Sequence, residues 1–66
     1  MTPRETLIAA AETFAAHGKT YDAEFARELA LDCMAMEAIG FGSDLYRAWA
    51  KQLAERAAKL SERAAA

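Results

Sequence analysis

At 66 residues, the chain is one domain, 1–66, close to the smallest size at which a polypeptide buries enough surface to fold alone. Its single cysteine and single histidine exclude an intrachain disulfide and a Cys/His zinc site as the staple for so small a core, which leaves self-association. A formal charge of −2 argues against a general nucleic-acid binder, whose footprint is a basic surplus.

The first helix is expected from Pro3 to His17. Thr2-Pro3-Arg4-Glu5 reads as a capping box, with Thr2 as N-cap and Pro3 at the first helical position. Gly18 supplies a left-handed stop. Leu7, Ala10, Ala11 and Phe14 form one apolar face, with Ile8 and Ala15 on its shoulder.

The second helix is expected over 22–39, capped by Thr20 or Asp22 and ended by Gly40. At about 100° per residue, Phe25, Leu29, Cys33 and Met36 fall on one side, and Leu31, Met34 and Ala38 fall nearly opposite. Glu24, Glu28 and Asp32 lie along one seam between these stripes, and Asp22 and Glu37 along the other. A helix with two apolar stripes requires two partners. These are the other two helices, or one helix and a second copy of the chain.

The third helix is expected over 44–63 with Ser43 as its cap, and Ala64–Ala66 are expected to fray. Tyr46, Trp49, Leu53, Ala57 and Leu60 form its apolar stripe, while Arg47, Lys51, Glu55, Lys59 and Glu62 face water. Glu55 and Lys59 are spaced as a helical i,i+4 pair. The basic excess of this helix set against the acidic second helix predicts pairing within the chain.

The fold class is therefore all-α, with three helices (3–17, 22–39, 44–63). Short connections suggest an up-down-up bundle. A helical hairpin of the second and third helices, with the N-terminal helix packed outside, is the alternative. Either form is expected to dimerise.

No constellation points to catalysis. His17 reads as a surface residue at a helix C-terminus. Mid-helix Cys33, beside Asp32 and Glu37, lacks the cationic surroundings of a reactive thiol and reads as a small buried hydrophobe. Cys33 and Met34 diverge by about 100° and cannot share a metal ion in a regular helix. Glu24, Glu28 and Asp32 could face a cation, but no second element brings further ligands, so they read as a solvated face. No nucleophile–base pair or phosphate loop is visible. An enzyme is not expected, nor is any cofactor or metal.

The expected function is a non-catalytic protein–protein interaction module. It would be a helical homodimer, or a small adaptor or inhibitor, with its interface at Leu31, Met34, Ala38, Tyr46 and Trp49. Its partner is itself and, beyond that, another protein. The alternative is a small DNA-binding regulator, since Ile39-Gly40-Phe41-Gly42-Ser43 has the cadence of a helix-turn-helix. Arg47, Lys51, Arg56 and Lys59 would then meet phosphate or another acidic partner, although the acidic second helix counts against nucleic acid. No stretch approaches membrane-spanning length, no membrane partner is expected, and a single cysteine without an export signal suggests the cytoplasm.

Overall fold

A computed structural model of the chain describes residues 1–65, which form three helices: α1 (Pro3–Ala16), α2 (Thr20–Ala38) and α3 (Ser43–Ala65). Ala66, the last of the residues expected to fray, lies outside the described residues.

The helix ends follow from local chemistry. At the start of α1 the Glu5 backbone N–H donates to Thr2 Oγ1 at 3.2 Å, and Pro3 occupies the first turn. Its C-terminal end is a Schellman motif. Gly18 adopts φ +77°, its N–H donates to the Ala15 carbonyl at 3.2 Å, and the Lys19 N–H donates to the Phe14 carbonyl at 2.8 Å. The end of α2 repeats the arrangement around Gly40 (φ +71°), with Gly40 N–H to Glu37 O at 3.0 Å and Phe41 N–H to Met36 O at 2.9 Å.

The start of α2 departs from expectation. The helix begins at Thr20, its N-cap is Lys19, and no side chain caps it. Thr20 thus lies inside the first turn, and the Asp22 carboxylate is engaged elsewhere. It accepts a hydrogen bond from Arg56 Nη2 of α3 at 3.0 Å.

The helices run up-down-up. Arg4 and Ile8 of α1 flank Leu31 and Met34 of α2, so α1 and α2 are antiparallel. Asp22 meets Arg56 and Phe25 meets Trp49, which makes α2 and α3 antiparallel as well. The alternative hairpin, with α1 outside, is not the arrangement formed. It is α1 that packs along both neighbours, while α2 and α3 meet far less.

Side-chain size explains this. Leu7 and Phe14 of α1 and Leu53 of α3 are among the largest fully buried side chains, whereas the inward face of α2 is alanine but for Cys33. α1 and α3 supply the bulk, and α2 supplies the space that lets α1 approach closely.

The core face of α2 is Ala23, Ala26, Ala30 and Cys33, so most of it belongs to neither expected stripe. This narrow seam of small residues lies between the stripes, which become its two shoulders. Phe25 and Leu29 are half-buried on the shoulder toward α3, packed against the core. Leu31, Met34 and Ala38 lie exposed on the other shoulder. On α3 the buried residues are Tyr46, Ala50, Leu53 and Ala57, with Leu60 half-buried beside them.

Candidate protein-interaction surface

The α2 shoulder that faces away from α3 joins α1 in an open groove. Ile8 of α1 and Leu31 and Met34 of α2 line it, with Ala30 between them, while Arg4, Glu5 and Arg27 stand at its edge. The three large apolar side chains are 42 %, 63 % and 46 % exposed, respectively. One turn further along the same stripe, Ala38 is also exposed.

The five residues expected at an interface are therefore divided. Leu31, Met34 and Ala38 share one exposed stripe. Tyr46 is buried in the core. Trp49 lies at the opposite edge of α2, where its ring meets Phe25 edge-on with centroids 6.0 Å apart and planes at 79°. Sequence reasoning missed Ile8 as a surface partner of Leu31. Its place on the shoulder of α1 was legible, but its height against α2 depends on how the helices dock.

A second apolar cluster sits at the α2–α3 turn, where Ile39, Phe41 and Leu45 are exposed. Gly42 holds this turn at φ +82°, and a Cβ added there would come within 3.3 Å of Tyr46 Cε2.

The expected pairing of acidic α2 with basic α3 is made at a single point. Arg56–Asp22 is the one ion pair among the described residues. The Arg56 guanidinium also lies over the Phe14 ring, 5.9 Å from its centroid, so one side chain of α3 touches both other helices. Arg47, Lys51 and Lys59 are exposed, and the first two adjoin the N-terminal end of α1. Glu24, Glu28 and Asp32 form an exposed acidic ridge on α2.

Cys33 is fully buried, and its Sγ donates to Glu37 Oε1 at 3.5 Å. Burial pushes the thiol above its ordinary value, and the hydrogen bond and charge of Glu37 add to the rise, against a smaller opposing effect of Arg4. The thiol is thus held in the unreactive protonated form. His17 is exposed at the C-cap of α1. No group of three or more His, Cys, Asp or Glu side chains capable of holding a metal ion occurs among the described residues, and no described helix is long and apolar enough to cross a membrane.

Comparison with protein families, characterised proteins and solved structures finds no match to this chain.

Proposed function

We propose that the protein is a non-catalytic interaction module and that the α1–α2 groove is its docking face. The observation that carries this reading is the exposure of Ile8, Leu31 and Met34 side by side on rigid helices. Scattered surface apolar residues need no explanation, whereas contiguous ones mark sites of association. Methionine suits such a site, since its unbranched thioether adapts to the surface it meets. The buried, protonated thiol and the exposed acidic ridge offer no chemistry that competes with this reading.

The DNA-binding alternative draws support from exposed Arg47 and Lys51. It is weakened by Arg56, which is engaged with Asp22, and by the helix geometry. α2 and α3 each pack mainly on α1 and meet each other little, whereas the two helices of a helix-turn-helix are packed directly on one another.

The test is a double variant, Leu31→Glu with Met34→Glu, followed by circular dichroism and thermal melting. A docking face is not needed for folding, so the variant should keep its helicity, with stability within about 0.5 kcal/mol of wild type under dilute conditions. Loss of the fold would put the groove in the service of the chain's own core and overturn the proposal.

A further inference from the structure

We propose that the cleft beside the α1–α2 turn binds a compact phosphate ligand, with a diphosphate group as its best match. The cleft lies across α2 from the apolar groove, and neither reading depends on the other.

The cleft is open, about 270 Å³ in volume, and draws its charge from two parts of the chain. Lys19 comes from the turn. Arg56, Lys59 and Arg63 come from the last turns of α3 and share one side of that helix at about 100° per residue. Phe14 and Leu60 supply the apolar part of the lining, and Asp22 is its one carboxylate. Asp22 is already bonded to Arg56 in the one ion pair among the described residues. Lys19, Lys59 and Arg63 therefore line the cleft without a counter-charge. Glu55 and Glu62 stand outside it. Each is turned about 100° from its neighbour, Arg56 or Arg63, and neither contributes to the lining. A concave site walled by one sign of charge concentrates ions of the other.

The start of α2 adds to this positive field. Its N-cap is Lys19, and no side chain caps it, although Thr20 and Asp22 stand close by. A lysine there sits at the positive end of the helix, where cations are disfavoured and anions are stabilised. Native chains break such local rules chiefly where function requires it. An anion in the cleft would meet the unpaired cations and the positive end of α2 together.

The surroundings set the size of the ligand. A long polyanion laid along the α2–α3 face would run past Glu28, which flanks Phe25, and then past Asp32 one turn further on. Both carboxylates are exposed. The cleft therefore favours a ligand whose charge is concentrated in a few atoms. Lysine and arginine both bind phosphate oxygens, arginine through paired N–H donors. A diphosphate brings more charge than a single phosphate at nearly the same width. Arg47 and Lys51 take no part, because they adjoin the N-terminal end of α1 at the other end of the bundle.

The test is titration of the full chain with sodium pyrophosphate, read by calorimetry and by the rise in Tm that a ligand of the folded state produces. Lys59→Glu, Arg63→Gln and Lys19→Asp should each weaken binding by about tenfold, as expected for a lost charged hydrogen bond. Lys19→Asp should also raise Tm without ligand, since aspartate caps the helix. Arg47→Glu changes the net charge as much as Lys59→Glu does, yet should leave affinity within about twofold. All four side chains are exposed, so each variant should keep the fold.

No binding of pyrophosphate by wild type, or an equal loss in Arg47→Glu, overturns the site. Duplex DNA that binds more tightly than pyrophosphate, and loses affinity in Arg47→Glu, overturns the compact ligand in favour of a phosphate chain. ADP tests the source of the diphosphate. Tighter binding than pyrophosphate assigns a nucleotide, and equal or weaker binding assigns the free anion.

Discussion

Phe25 and Trp49 meet edge to face at 6.0 Å, and this ring contact ties together the two helices that otherwise touch least. Both residues sit on outer shoulders of their helices. Pairs of this geometry contribute about 0.5–1.5 kcal/mol beyond the area they bury. A double-mutant cycle of Phe25→Ala and Trp49→Ala in urea should return a coupling in that range. A coupling near zero would mean that the rings add nothing to the direct α2–α3 contact beyond the Arg56–Asp22 ion pair. Trp49 is the only tryptophan, so its emission should shift to the red in Phe25→Ala alone.

The seam of α2 has no room to grow. Ala26 is fully buried against the core, so Ala26→Leu forces side chains off their rotamers or pushes the helices apart, at a cost of about 1–3 kcal/mol. In a domain of this size each kcal/mol lowers Tm by about 4–8 °C. The exposed Ala35 is the control, and Ala35→Leu should leave Tm nearly unchanged. Equal melting temperatures for the two variants would contradict the packing described.

Arg56 and Asp22 should contribute unequally to stability. The ion pair is partly exposed, with Arg56 59 % accessible, and such pairs are worth about 0–1 kcal/mol. Asp22→Asn should therefore cost less than 1 kcal/mol by that measure, and the loss should shrink in salt. Arg56→Ala also removes the stem and the guanidinium over Phe14, which adds about 0.5–1 kcal/mol. Chemical denaturation of the two variants at low and high salt separates the contributions.

Cys33 makes stability sensitive to alkaline pH. Its pKa in the folded chain lies above the ordinary value of 9.0, so above that value the folded state retains a proton that the unfolded chain releases. The contribution is complete below pH 9.0 and is lost as pH rises through the folded-state value. Urea denaturation from pH 7 to 10.5 should show wild type losing more stability than Cys33→Ala over the alkaline part of that range, which spans the usual titration of a protein thiol. Parallel curves would show that the thiol does not titrate differently on folding. A thiol reagent at neutral pH should react with Cys33 only as fast as the chain opens.

Helix number and the chain reversals were legible in the sequence because single residues dictate them. Thr2 with Pro3 sets one helix start, and Gly18 and Gly40 occupy the left-handed conformation that ends a helix at little steric cost. The buried face of α1 was legible too, since Leu7 and Phe14 outweigh everything around them. The inward face of α2 was not. Hydrophobic periodicity gives weight to large side chains, and Leu31 or Phe25 eclipses an alanine in any such reading. In a bundle where a neighbouring helix brings the bulk, the small face is the one that approaches closely. Apart from Cys33, which belongs to the seam itself, the two stripes are the flanks of that face. The groove was half legible, with its α2 side visible as a stripe and Ile8 placed only by the docking of α1.

The alanine seam has a calorimetric consequence. The heat capacity of unfolding comes from newly hydrated apolar area, about 0.45 cal/K/mol per Å², and an alanine contributes little of it. Domains average about 12–15 cal/mol/K per residue. A core with Ala10, Ala11, Ala23, Ala26, Ala30, Ala50 and Ala57 among its buried members should fall below that range. Its stability would then vary weakly with temperature, as a shallow dome with a broad melt and a small denaturant slope. Most of the large apolar surface of α2 lies outside this core, on the shoulders, where folding changes its hydration least.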